Sequence, residues 1–192
     1  MTKPTTGAVI FDLETNGLVN DATRIHCASL YWEEDDRTES FNDEPYAASP
    51  KDLPMGTHSI TTALSWLETA EVLVGHNIIG FDIPVIKNIY HWFTPSGIIM
   101  DTLLLSRLYH PNLLDIDKAH AWKHMPLQLY GRHSLEAYGY RLGEYKGNFA
   151  KTTDWKNWSQ EMQDYCTQDV TVTKKLWKHF RPYLDGSKWN TR

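Results

Sequence analysis

Two acidic residues end the first apolar run of the sequence. Asp12 and Glu14 follow the run 8–11 and are separated by one residue. In a β-strand, residues two apart point to the same face, so both carboxylates would be aimed at one spot. Such a pair could bind a cation, although it also fits a solvated strand end. The pair alone therefore leaves both interpretations open.

Two later segments add polar groups of the same kind. Residues 77–82 follow the apolar run 72–74 and place Asp82 at the start of a predicted helix. The helix dipole would stabilise an acid there, which is the purely structural alternative. In the last predicted helix, Tyr165 and Asp169 are four residues apart and share one face. A hydrogen bond on the helix surface is the structural alternative for that pair.

The three segments together predict a site for hard divalent cations. Magnesium prefers oxygen ligands and few protein carboxylates. Two ions held this way could activate a water and stabilise the departing 3′ oxygen during phosphoryl displacement. Without cations, converging acids would repel one another and destabilise the fold. We therefore expect two Mg²⁺ ions, with Mn²⁺ as a substitute. The predicted metal ligands are Asp12, Glu14, Asp82 and Asp169, and the predicted catalytic residues are these four and Tyr165.

The elements that must position these residues are read from hydrophobic periodicity and turn signals. The order of strands first, then strands alternating with helices, predicts an α/β fold with a mixed sheet covered by helices. The predicted strands are the run ending at Asp12, 25–32, 37–41, 71–75 and 98–100. The predicted helices are 59–69, 82–90, one beginning at about Thr102, 134–142 and 159–180, the last ending before Pro182, and 111–131 is predicted to be mainly a surface loop.

Length and composition exclude several classes of protein. With 192 residues and 41% hydrophobic content, we expect a single domain, 1–192. No apolar run approaches the roughly 20 residues of a membrane span, and the polar start does not resemble a signal peptide, so we expect a cytoplasmic protein with no membrane partner. Cys27 and Cys166 are too few for a disulfide framework. The net charge of −5 disfavours tight binding of duplex DNA but is compatible with an enzyme that binds only a few nucleotides at a strand end.

The three acidic segments resemble the Exo I, Exo II and Exo III motifs of the DEDD exonuclease superfamily. Asp164 occupies the position at which the histidine subtype has His, so the tyrosine subtype is indicated. Segments 10–14, 101–108 and 133–144 look like the proofreading domain of T-seven-like phage family A DNA polymerases. This resemblance covers nearly the whole chain. It implies a ribonuclease-H-like sheet flanked by helices, in which the four acids bind the metals and the tyrosine orients the attacking water.

The resemblance also implies a substrate. We expect 3′→5′ hydrolysis of DNA to nucleoside monophosphates, preferentially at single-stranded or frayed ends. Thr15 and Leu18 match positions that contact the terminal nucleotide, and Asn77 and Phe81 are the other expected substrate-binding residues. The alternatives are trimming of RNA and a non-catalytic docking module of a split polymerase.

The expected partners are the 3′ end of a single DNA strand and a separate DNA polymerase chain. If the protein is phage-encoded, its location would be the host cytoplasm. Candidate phosphate contacts, which the sequence does not rank, are Lys87, Arg107, Arg132 and Lys146.

Overall fold

The structure is a computed structural model and describes residues 7–44, 59–144 and 154–189. Five strands form one sheet in the order β3-β2-β1-β4-β5. They are β1 Ala8–Thr15, β2 Ile25–Trp32, β3 Arg37–Asn42, β4 Val72–Gly75 and β5 Ile98–Asp101. The first three strands pair antiparallel, whereas β4 pairs parallel with both β1 and β5. The predicted mixed sheet is confirmed.

Six helices of the described residues accompany this sheet, and all but the fourth lie close to their predicted positions. They are α1 Ile60–Thr69, α2 Asp82–Ile89, α3 Thr102–Tyr109, α4 Leu113–His120, α5 Leu135–Arg141 and α6 Gln160–Leu184, with short 3₁₀ turns at Leu127–Leu129 and Ser187–Trp189. Ser59 caps α1 and Ser159 caps α6, each accepting a backbone N–H at 3.2 Å. No helix in the described residues is long and apolar enough to cross a bilayer.

The two faces of β1 pack against different helices. Val9, Phe11 and Leu13 belong to a core that also contains the buried apolar residues of α1 and α2. Ala8 and Ile10 belong to a second core that contains buried residues of α6. Because side chains alternate along a strand, Asp12 and Glu14 continue the row of Ala8 and Ile10. The β1 acids therefore face α6.

Two predictions of local structure are wrong. Residues 113–120, predicted to belong to a loop, form α4, in which Leu114 and Ile116 are exposed and only Leu113 and Asp117 are buried. The helix thus lacks an apolar stripe, and its buried Asp117 carboxylate pairs with Arg141 at 2.6 Å. The last helix does not end before Pro182 but continues to Leu184. Proline removes one helical hydrogen bond there, and water can replace it at this exposed end of the helix.

Candidate metal-binding active site

Three of the predicted metal ligands converge at the carboxyl end of β1. Asp12, Glu14 and Asp169 each offer one carboxylate oxygen, and these three atoms lie within 4.8 Å of one another. Glu14 and Asp169 are buried and Asp12 is half-buried. The strand register changes between Glu14 and Thr15, and such bulges re-aim side chains next to functional sites. The arrangement fits a divalent cation, which takes oxygen ligands from few carboxylates.

Packing of α6 against β1 brings Asp169 and Tyr165 to these acids. Between them, the Cys166 thiol donates a hydrogen bond to the Asp12 carbonyl oxygen at 3.3 Å. Cys27, which lies opposite Glu14 on β2, is also completely buried, and both cysteines are free thiols. The two small side chains allow the helix to approach the sheet directly beneath the acid cluster.

Tyr165 is half-buried beside the same carboxylates. Burial raises the pKa of its phenol, and the negative charges of Glu14 and Asp12 raise that pKa further. The hydroxyl therefore stays protonated at neutral pH, which makes it a hydrogen-bond donor and a poor general base.

Asp82 lies beside the cluster as the first residue of α2 and is only 3% exposed. Burial raises its pKa well above the ordinary value, and the charge of Asp12 adds to this increase, while the backbone N–H of Leu13 opposes it. No described residue donates a hydrogen bond to its Oδ1 atom. A buried carboxylate next to another carboxylate is unfavourable without a cation or a proton. Asp82 thus fits a metal-binding role, although it lies outside the group of three.

The loop that carries Asp82 is fixed by Asp101. One carboxylate oxygen of Asp101 accepts the backbone N–H groups of Asn77 and Leu103, each at 2.9 Å. The other oxygen accepts the N–H of Ile79 at 3.1 Å. Asp101 is therefore both the N-cap of α3 and the anchor of the loop 76–81. It is a positioning residue. From the sequence, in which Asp101 ends a predicted strand and precedes a predicted helix, both a helix-capping role and a role as an acid supporting the site were expected.

An apolar cavity of about 350 Å³ adjoins Glu14. Its walls contain three of the four predicted substrate-binding residues, Thr15, Leu18 and Phe81, together with Gly17 and Trp155. Leu18 is 72% exposed, so the cavity is open to a ligand. Sequence reasoning did not identify Trp155, because it stands in a polar stretch ten residues before Tyr165 with no periodicity to single it out.

The fourth predicted substrate-binding residue, Asn77, is exposed and lines a different cavity. Its φ angle of 66° lies in the left-handed region, where asparagine is favoured over most residues. A side chain at Gly80 would bring a Cβ atom to 2.6 Å from the Asn77 Oδ1 atom. The shape of the loop therefore favours asparagine at position 77, whether or not this side chain contacts a substrate.

The chain is similar to known proteins along most of its length. The RNase_H superfamily profile matches residues 9–181. The DNA-directed DNA polymerases of Enterobacteria phage T3 and Escherichia phage T7 are each 30% identical over 88% of this chain and 26% of the polymerase. This chain thus spans about a quarter of the length of the curated relatives it matches.

Among solved structures, Brucella melitensis NrnC superposes with a TM-score of 0.62 at 20% identity, covering 96% of this chain and 77% of that chain. A further structure of NrnC is described with bound Mg²⁺. At this level of identity the likeness concerns the fold. Because the superfamily match extends from β1 almost to the end of α6, this chain belongs to the RNase_H superfamily, as an exonuclease domain.

Proposed function

We propose that the protein is a 3′→5′ exonuclease that hydrolyses DNA to nucleoside monophosphates, in the manner of a proofreading domain. The observation that carries this proposal is the convergence of Asp12, Glu14 and Asp169 within 4.8 Å, with buried Asp82 beside them. None of the four acids expected for such a site is replaced. A non-catalytic docking module would have no need for this set of mutually repelling groups.

The ligand set supports magnesium. The four acids provide only oxygen atoms, which favours Mg²⁺ or Mn²⁺ over ions that prefer nitrogen or sulfur. When bound, two such ions supply a water of lowered pKa and stabilise the charge that develops on the departing 3′ oxygen. The protein's part is to hold the carboxylates at fixed positions on β1, α2 and α6.

Tyr165 would orient the attacking water. Its protonated phenol can donate or accept one hydrogen bond beside Asp169, which lies one helical turn further along α6. Holding the water in line with the scissile phosphorus lowers the barrier by reducing the freedom lost in the transition state. The hydroxyl does not need to take up the proton.

The apolar cavity supports a preference for unpaired ends. Phe81 and Trp155 offer aromatic surfaces and Leu18 an aliphatic one, next to the metal ligand Glu14. An unstacked base gains favourable contacts with aromatic side chains, whatever its sequence. A base inside a duplex already uses its faces for stacking, so a terminal nucleotide must fray before it enters. Single-stranded and mispaired 3′ ends would therefore react first.

Trimming of RNA is the second candidate function, because the fold and the acid cluster are compatible with strands that contain either deoxyribose or ribose. The similarity to two phage DNA polymerases favours DNA. Matched DNA and RNA oligonucleotides, labelled at the 5′ end and incubated with the protein and Mg²⁺, would distinguish them. The proposal expects a ladder of shortened DNA products with slower loss of RNA. Faster degradation of RNA would reverse the assignment.

We further propose that a separate DNA polymerase chain delivers the 3′ end. The net charge of −5 leaves few groups to hold a long strand, and the relatives at 30% identity are polymerases. A single domain at 1–192 and a location in the cytoplasm, that of the host if the protein is phage-encoded, are parts of the same proposal.

A further inference from the structure

His26 is a buried histidine at the point where the register of β1 and β2 becomes irregular. Glu14 lies opposite Cys27 and Thr15 lies opposite Ile25, so His26 is the extra residue of a β-bulge. It is only 1% exposed. The bulge that re-aims Glu14 therefore also determines where the His26 side chain points.

The bulge turns His26 towards the side of the sheet on which α6 packs. With regular alternation, His26 would lie on the same face as Ala28 and Leu30, in the core shared with α1 and α2. Its ring instead contacts the segment before α6, where Nε2 lies 3.1 Å from the backbone carbonyl oxygen of Trp155. Because a carbonyl oxygen can only accept, Nε2 carries the hydrogen and donates it.

The other ring nitrogen of His26 has no such contact. No described residue forms a hydrogen bond with its Nδ1 atom. Burial lowers the pKa of the imidazole, so the ring is neutral at pH 7 and Nδ1 carries only a lone pair. A buried nitrogen without a partner is unfavourable, and an apolar side chain of similar size would avoid that penalty. The histidine is therefore explained by the group that its Nε2 atom holds rather than by the stability of the core.

Trp155, which accepts this hydrogen bond, connects the core beneath the acid cluster with the apolar cavity. It packs against the buried cluster of Cys27, Met162 and Cys166, and it lines the apolar cavity beside Glu14. Trp155 lies in a turn rather than in a helix or a strand. The hydrogen bond from the β-bulge ties this turn to the sheet at the strand end that carries Glu14.

No Lys or Arg occurs among the described residues that line the apolar cavity. The candidate phosphate contacts lie elsewhere: Arg107 and Arg132 line the other cavity, Lys87 lines neither of the two, and Lys146 lies outside the described residues. A nucleotide in the apolar cavity would therefore be bound there through its base, by contact with aromatic and aliphatic side chains. The position of Trp155 should then determine how tightly that base is bound.

We propose that His26 is a positioning residue that holds Trp155 as a stacking platform for the terminal base of the substrate strand. This proposal rests on the proposed exonuclease function and adds a specificity-determining residue to it. His26 does not line the cavity and does not touch the nucleotide. It fixes the backbone of Trp155, so that the indole is in place before the base enters and less freedom is lost on binding.

The test compares three substitutions of His26. His26→Leu has a similar size but no N–H group, His26→Asn is too short to reach the carbonyl oxygen, and His26→Gln retains a side-chain N–H donor. With single-stranded DNA and Mg²⁺, His26→Leu and His26→Asn should raise KM at least about threefold and leave kcat within about threefold of the wild-type value. His26→Gln should have a KM closer to that of the wild type. If His26→Leu does not unfold cooperatively, His26→Asn takes its place, and an unchanged KM in the folded variants would overturn the proposal.

A strand with an abasic 3′-terminal nucleotide shows whether the effect comes from the base. In the wild type, loss of the base should raise KM about 5- to 150-fold, as expected when one base–aromatic contact is removed. In His26→Leu the same change of substrate should have a smaller effect, because the platform is already displaced. If the ratio of KM for abasic and intact strands is the same in both proteins, His26 acts only through the stability of the fold and the proposal is refuted.

Trp155→Ala tests whether His26 acts through Trp155. If it does, adding His26→Leu to Trp155→Ala should change KM by less than about twofold. Effects that multiply would show that the two residues act independently, which would contradict the proposal. His91→Leu is a matched control, because Nδ1 of His91 lies 3.0 Å from the Lys87 carbonyl oxygen and His91 lines neither cavity. Its KM should equal that of the wild type, and an increase as large as that of His26→Leu would likewise count against a specific role.

If the wild type hydrolyses no strand, the proposed function fails separately. The role of His26 is then judged by ¹⁹F NMR of protein containing 5-fluorotryptophan, in which the signal of Trp155 is identified from Trp155→Phe. That signal should shift in His26→Leu, and a single-stranded oligonucleotide in metal-free buffer should shift it more in the wild type than in the variant. An unchanged Trp155 signal in His26→Leu, or the same response to the oligonucleotide in both proteins, refutes the positioning role.

Discussion

Replacing Tyr165 by Phe removes only the hydroxyl beside the acid cluster and so tests the role of one hydrogen bond. A hydrogen bond involving a charged group contributes about 1.5–3 kcal/mol. If Tyr165 holds the metal-activated water only in the reactive geometry, its loss should slow the chemical step by about 10- to 150-fold. Removal of a metal-binding acid should have a larger effect, and metal affinity should hardly change in Tyr165→Phe.

The pH dependence separates orientation from base catalysis. Burial and the charges of Glu14 and Asp12 raise the phenol pKa above its ordinary value near 10, so the hydroxyl remains protonated throughout pH 6–9. Wild type and Tyr165→Phe should therefore have rate profiles of the same shape in this range, displaced by a constant factor. A limb of the profile that disappears in the variant would assign the proton transfer to Tyr165 and refute the orienting role.

Single-turnover rates at saturating Mg²⁺ provide the assay, because they isolate chemistry from product release. Tyr31→Phe is a matched control: Tyr31 lies on β2 opposite Ile10 and donates to Asp36 at 2.8 Å, away from the acids. The control should retain the wild-type rate. Rates of wild type and Tyr165→Phe that agree within a factor of two would show that the hydroxyl takes no part in catalysis.

Three further predictions concern the metal ligands, the loop that carries Asp82 and the binding of DNA. Asp12→Ala and Asp82→Ala should each lower the rate of hydrolysis by several powers of ten, because metal positioning supplies most of the charge stabilisation. Their thermal unfolding temperatures in metal-free buffer should be equal to or above that of the wild type, because one repelling charge is removed. If both variants retained more than about a tenth of the wild-type rate, Asp12 and Asp82 would be rejected as metal ligands. Asp101→Ala removes the acceptor of three backbone N–H groups and should lower the free energy of unfolding by about 2 kcal/mol, as urea denaturation would measure, with a loss of activity through the displaced loop. An unchanged unfolding midpoint would contradict that anchoring role. The isolated chain should bind single-stranded DNA weakly and lose binding as salt increases, which fluorescence anisotropy would report; tight, salt-insensitive binding would remove the reason for a delivering polymerase.

The elements that position the acids could be predicted from sequence because their signals are local. The alternation along β1 places Asp12 and Glu14 on one face, and the four-residue spacing of Tyr165 and Asp169 places that pair on one side of α6. The distance between α6 and β1 could not be predicted from the sequence. It depends on the small buried side chains of Cys27 and Cys166, and their role becomes evident only when the two elements are packed together.

The segment between α3 and α5 shows why the rest could not be predicted. Its structure depends on Asp117 and Arg141, which are 24 residues apart and form a buried ion pair with side-chain exposures of 0% and 6%. No periodicity reports such a long-range contact, so neither α4 nor the conformation of the segment before α5 could be predicted. The contribution of Trp155 to the apolar cavity likewise depends on tertiary packing.

The central claim is tested most directly by the products formed from a single-stranded DNA labelled at its 5′ end. With Mg²⁺, the account predicts a ladder of products shortened one nucleotide at a time from the 3′ end, release of nucleoside monophosphates, and loss of all activity in excess EDTA. A strand carrying a blocked 3′ end should resist. Internal cuts as the first products, or full activity in excess EDTA, would contradict a metal-dependent exonuclease built on Asp12, Glu14, Asp82 and Asp169.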